Sequence, residues 1–313
     1  MITPTQKKTA QSIINIFETG SVLGDYGNVT LIAGDTGHLT YGRSQTTLGS
    51  GNLHLLIREY VNNPGAKFGN ALAPFLSRFE SRDLSLDREQ YLHNIMRASA
   101  DDPVMRETQD VFFDERYWKP ASNSARQLGI STPLGIAVIY DSTVHGSGKL
   151  IRDRTNARFG TISNRGEKEW IKAYVRTRRD WLSTHSNPAL HSTVYRMDAF
   201  QRLVDLNLWG LELPLVVRGQ EISIATLSGN PRDCYDGPVP GTRQLSVQSP
   251  LLRGLDVRLT QLGLSQAGID IIADGVLGNA TRNGIRRYQT DRGLPVTGTA
   301  DISLIADLVN SFS

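Results

Sequence analysis

The sequence predicts a mainly α-helical protein with one short β-containing excursion and a small three-helix unit at its C-terminal end. Three observations predict it. Apolar residues recur at helical spacing through most of residues 5–206. The stretch from Asp25 to Gly51 interrupts that pattern with Gly, Thr and short β-like pieces. Finally, Asp236-Gly-Pro-Val-Pro-Gly-Thr places two Pro and two Gly within six residues, which reads as a linker. A chain of 313 residues suits one large and one small domain, set here at 1–235 and 249–313 with a linker at 236–248. The self-contained pattern after the break predicts that 249–313 can be removed without harm to the rest.

The elements follow in order. Thr5–Thr19 carries Ile13, Ile14, Ile16 and Phe17 among polar neighbours, and Gly20 supplies a stop. Val29–Ala33 is β-like. From Asn52 the pattern turns helical through Leu53, Leu55, Leu56, Ile57 and Tyr60. Further helices are expected over Arg88–Ala98, Pro103–Trp118, Pro133–Val144, Glu167–Ser183 and Tyr195–Leu206.

Hydrophobic residues at 39% and charged residues at 21% suit a globular protein with a full core. No apolar run approaches the roughly 18–20 residues of a membrane helix, so no membrane insertion is expected. The opening Met-Ile-Thr-Pro-Thr-Gln-Lys-Lys lacks the apolar core of a secretory signal. Cys234 stands alone, which excludes an intrachain disulfide and reads as an inert small residue. Neither a metal site nor a cofactor is expected. Between Lys149 and Arg179, ten Lys/Arg face only Asp153, Glu167 and Glu169, a net of +7. That excess is either a solvated helix face or an attraction for an anionic polymer. Aromatic residues are sparse there, which disfavours nucleic acid.

Two carboxylates stand out. Glu18 ends the first helix behind Ile16-Phe17, where partial burial would raise its pKa as a proton donor requires. Asp35 sits in Ile32-Ala-Gly-Asp-Thr-Gly-His-Leu-Thr-Tyr-Gly, a polar loop that keeps a carboxylate ionised. Such a pair is what glycoside hydrolysis needs. Taken singly, each reads first as a surface acid, and it is their joint context that changes this.

The stretch from Glu18 to Tyr60 resembles the chitosanases of the lysozyme superfamily, glycoside hydrolase family 46. The matching marks are Glu18, Asp35 with Thr40 and Gly42, and Gly49-Ser-Gly51 opening a helix. Tyr140-Asp-Ser-Thr-Val-His-Gly is similar to a second family region, though one residue shorter, and Arg178 with Tyr195-Arg-Met-Asp-Ala-Phe-Gln to a third. The resemblance runs through roughly residues 5–225 and implies a two-lobed, lysozyme-like catalytic domain that inverts configuration. It implies Glu18 as general acid, Asp35 as general base and Thr40 as holder of the attacking water. Asp141, Arg178 and Arg196 become a buried network that positions Glu18, and Arg43 and Asn52 become substrate contacts. The alternative reading of those three charges is a structural ion-pair cluster.

The C-terminal segment carries Leu262-Gly, Asp274-Gly-Val-Leu-Gly278-Asn-Ala-Thr281, Tyr288-Gln and Gly293-Leu-Pro-Val-Thr-Gly. It resembles the peptidoglycan-binding domain of wall hydrolases. Asp274 and Gly275 suit a turn, Gly278 a special φ, and Thr281 a helix cap.

One departure bears on substrate. Where the family has an Asp for the sugar amine this chain has Asn52, and residues 185–194 contain no acid. An Asn bonds an N-acetyl group but cannot neutralise an ammonium. With the basic stretch and the C-terminal module, this points to peptidoglycan strands and a muramidase-type reaction, with chitosan as the alternative. Similar domain pairs occur in secretion-system lysozyme effectors and phage endolysins. Those imply an immunity protein or a secretion carrier as partner, and action on the wall after synthesis in the cytoplasm.

Overall fold

The computed structural model describes residues 2–32, 34–43 and 45–310. Among these, the α-helices of nine or more residues are α1 (Pro4–Thr19), α2 (Asn52–Val61), α3 (Gln90–Ser99), α4 (Pro103–Phe113), α5 (Lys119–Leu128) and α6 (Pro133–Val144), followed by α7 (Gly148–Phe159), α8 (Glu167–Ser183), α9 (Tyr195–Asp205), α10 (Leu255–Gln266), α11 (Asn279–Asp291) and α12 (Ile302–Asn310). Strands β1 (Val29–Thr30), β2 (Thr40–Tyr41) and β3 (Thr46–Thr47) form an antiparallel sheet in which Thr30 faces Thr40 and Tyr41 faces Thr46. Strands β4 (Leu215–Val217) and β5 (Gln220–Ile222) pair separately. The protein is mainly α, as its sequence predicts. The first strand is shorter than Val29–Ala33: Leu31 and Ile32 are exposed, and Ala33 lies outside the described residues.

The chain divides into two compact units, one of residues 1–24 with 113–229, the other of residues 25–112 with 230–313. In the first, every residue of α6 from Leu134 to Ser142 is buried. A helix apolar on all sides belongs at a core, and α1, α5, α8 and α9 pack around this one. In α1, Thr3 accepts from the Gln6 N–H while the Gln6 side chain returns to the Thr3 N–H, a reciprocal cap. Gly20 ends the helix with φ 74°. Helices α5 and α7 escape the sequence pattern because each buries only two residues, Ala121 and Ala125 in one, Ile151 and Thr155 in the other.

In the second unit, Leu39, Tyr41, Leu53, Ile57, Tyr60, Phe79, Leu92, Met96 and Phe112 form one core, and Leu262 of α10 belongs to it. A neighbouring core of Val257, Leu264, Ile285, Ile305 and Leu308 joins the three C-terminal helices. Helix α10 therefore serves both cores.

The stretch expected as a linker and the C-terminal module are packed into this unit. Leu245, inside 236–248, is fully buried, and its N–H and C=O both bond Ala300 at 2.9 Å. The carbonyls of Gly237 and Pro238 accept from the Leu255 and Asp256 N–H groups, closing the open end of α10. Across the seam Asn94 donates to Ser265 Oγ (2.9 Å) and Ile271 O (2.7 Å) and accepts from the Ala273 N–H (2.9 Å). Buried Arg258 donates to Arg97 O (2.9 Å) and pairs with Asp101 at 3.3 Å. Burial pushes the Asp101 carboxyl up to about 6, against the pull of Arg258. Removing one partner of a buried pair costs about 3–5 kcal/mol. Arg258→Ala should therefore lower unfolding free energy by about that amount in urea titration, and deletion of 249–313 should give aggregated protein. An unchanged melting temperature in Arg258→Ala would mean that the module merely rests on this face.

Smaller turns within the module also resolve. Asp274 accepts from the Val276 N–H at 2.9 Å and Gly275 adopts φ 75°, as expected of a turn. Gly278, however, is ordinary extended backbone (φ −101°, ψ −168°). Thr281 does not cap α11; its hydroxyl is buried and accepts from the Gln261 side-chain amide at 2.9 Å.

Candidate active site

In the first unit, Glu18 stands on the last turn of α1. The preceding Phe17 is fixed edge-on to Tyr195 and Phe200, and the Tyr195 hydroxyl donates to Phe17 O at 2.7 Å. Arg196 Nη1 donates to Glu18 Oε1 at 2.8 Å, while the Glu18 side chain stays 40% exposed. The same guanidinium lies 5.0 Å from the Phe17 ring centre and gives two bonds to Asp141 Oδ1, from Nε at 2.9 Å and Nη2 at 2.6 Å. The other Asp141 oxygen accepts from Arg178 Nη1 at 2.6 Å, and all three network residues are buried.

Burial alone would raise the Asp141 carboxyl; Arg178 and Arg196 outweigh it and hold it below its ordinary value. Two guanidiniums against one buried carboxylate leave a surplus positive charge, and Glu18 is the group that answers it. The network therefore pins one oxygen of Glu18 and leaves Oε2 without a protein hydrogen bond among the described residues. Sequence reading places Asp141, Arg178 and Arg196 in one cluster, and the structure brings them together with Glu18. It does not single out His145, to which Arg178 Nη2 donates at 3.1 Å. Burial first, then Arg196 and Arg178, keep that imidazole below its usual pKa and so neutral, as an acceptor must be. Its place in the Tyr140–Gly146 motif was the available signal.

In the second unit, Asp35 lies on the exposed loop between β1 and β2. Its Oδ1 accepts from the Gly37 N–H at 3.2 Å, a local turn that fixes the carboxylate. The loop is tight. A Cβ on Gly37 would meet Asp35 Oδ2 and Thr47 Cγ2, each at 3.0 Å, and one on Gly49 would meet Thr36 O at 2.2 Å. Asp87, absent from the sequence reading, clamps the loop by accepting from the Leu39 N–H and meeting His38 Nδ1, both at 2.9 Å. Buried Thr40 donates its hydroxyl to His38 O at 3.0 Å, so its oxygen remains an acceptor. Asn52 opens α2, half-buried, with its N–H on Ser50 Oγ at 3.2 Å.

Two expectations change. Arg43 was read as a substrate contact, but its side chain is 5% exposed and pairs with Asp110, which also accepts from the Tyr26 hydroxyl at 2.6 Å. It braces the lobe. The +7 stretch is also less basic than its count. Arg178 is buried in the network, while Arg152, Arg158, Lys172 and Arg179 pair with Asp153, Asp180, Glu169 and Asp198.

The first unit thus holds a carboxyl braced by a buried guanidinium and the second a carboxyl in an exposed polar loop, and glycoside hydrolysis uses two such groups. The chain belongs to glycosyl hydrolase family 46, whose model matches residues 12–215. A peptidoglycan-binding-domain model matches residues 253–308. A chitosanase of Bacillus subtilis (strain 168) is 30% identical over 239 residues, covering 69% of this chain and 83% of that protein. Among solved structures, the Gynuella sunshinyii family 46 chitosanase in complex with chitotetraose is similar at TM-score 0.57 and 26% identity, over 72% of this chain and 99% of that one. The native chitosanase of Bacillus subtilis MY002 is similar at TM-score 0.58 and 26% identity, over 72% and 100% respectively.

Proposed function

We propose that the protein hydrolyses β-1,4 bonds of chitosan-type glucosamine polymers with inversion of configuration. Glu18 protonates the leaving oxygen, Asp35 deprotonates the attacking water, and Thr40 accepts a hydrogen bond from that water. The observation that carries this reading is the Asp141–Arg196–Glu18 chain: a buried, charge-balanced mount for one exposed carboxyl oxygen has no simpler use than proton transfer. The chitosanases among its relatives support glucosamine polymers as the substrate class, which displaces the muramidase expectation from first place.

One observation favours a second reading. The module over 253–308 matches a peptidoglycan-binding family, which supports binding to wall glycan and a cleavage reaction there. Product analysis separates the two. Incubated in parallel with chitosan and with purified sacculi, the protein should release glucosamine oligosaccharides from the first. Muropeptides from sacculi with no products from chitosan would replace the chitosanase reading by the second.

A further inference from the structure

Arg82 follows the short helix Leu76–Glu80. The Asp83 N–H donates to Arg78 O at 2.9 Å and the Arg82 N–H to Phe79 O at 3.1 Å. These are the paired bonds of a Schellman helix ending, with Arg82 at its left-handed position, φ 55°. Glycine fits that position without strain, so an arginine there carries a steric cost that its backbone role does not explain.

Its side chain reaches a defined place. A Cβ built on Gly51 would stand 3.1 Å from Arg82 Nη2 and 3.4 Å from Nε, so the Nε–Nη2 edge of the guanidinium faces that glycine. No acid among the described residues pairs with it, and the adjacent Asp83 is taken by Arg78 and Ser85. Gly51 adjoins Asn52, whose side-chain amide makes no protein hydrogen bond among the described residues. This turn is tied to the Asp35 loop: the Gly49 N–H donates to Gly37 O at 3.0 Å, and the Gly37 N–H donates to Asp35. The Arg82 cation and the positive end of α2 thus stand at the turn that carries this free amide, a turn bonded to the Asp35 loop.

We infer that Arg82 is a specificity residue that repels a protonated 2-amino group at this position and favours an N-acetylated sugar unit, whose carbonyl oxygen accepts hydrogen bonds from Arg82 and Asn52. The inference rests on the reading of the Asp35 loop as part of a glucosamine-polymer hydrolase. It goes beyond Asn52, which lacks a negative charge but does not repel a positive one.

The test is calorimetric binding of a glucosamine hexasaccharide and its partially N-acetylated counterpart to two inactive proteins, Glu18→Gln and Glu18→Gln/Arg82→Gly. The single variant should bind the acetylated sugar roughly tenfold more tightly, the scale of one screened charge contact. In the double variant the ratio should fall towards one, chiefly through tighter binding of the deacetylated sugar. Because glycine suits the backbone at 82, its melting temperature should hold or rise. An unchanged ratio overturns this inference alone. A lower melting temperature with weakened binding of both sugars assigns Arg82 a structural role and also overturns it. Binding of neither sugar by either protein overturns the inference and the proposed function together.

Discussion

Glu18→Gln should lower kcat on chitosan oligosaccharides by about a hundredfold or more while leaving the fold intact. The substitution removes the transferable proton and the charge set against Arg196, while a glutamine oxygen can still accept the Arg196 bond seen at 2.8 Å. Loss of positioned proton transfer typically costs 10²–10⁴ in rate. Asp35→Asn should behave alike, because an asparagine oxygen still accepts from the Gly37 N–H. Steady-state kinetics with circular dichroism decide the matter. Near-normal turnover in either folded variant would move acid or base to another residue.

The second large effect concerns stability. Asp141→Ala should cost about 3–5 kcal/mol or more, because it strands two buried guanidiniums at once. Urea titration reads the loss directly. The conservative Asp141→Asn keeps acceptors for some of the donated bonds and should cost less, yet it should still impair kcat by unsettling Arg196 behind Glu18. A stable, fully active Asp141→Ala protein would show that the network is neither a structural nor a positioning device.

What the sequence made legible was local. Glu18 could be found because a helix with an apolar Ile16-Phe17 edge stops at a glycine, and the φ of 74° at Gly20 is the expected physical result. The network was legible through its motifs, although its partners lie 37 and 55 residues apart. Arg43 entered only as a substrate contact implied by the resemblance, and its partner Asp110, 67 residues away on α4, could not be read from its neighbourhood. The packing of residues 236–248 was hidden for a related reason. Pro and Gly signal a break in helix, not the absence of packing, and here Gly237 and Pro238 offer carbonyls to a helix end while Leu245 enters a core. Arg82 carried no sequence signal, since a left-handed arginine at a helix end is visible only in the backbone.

The central claim is inverting acid/base hydrolysis, and the anomer formed first tests it most directly. Proton NMR of a glucosamine hexasaccharide digest, recorded before mutarotation, should show the new reducing end as the α-anomer, because water attacks the face opposite the departing β-linked sugar. A β-anomer appearing first would mean retention through a covalent intermediate and would contradict the roles assigned to Asp35 and its water.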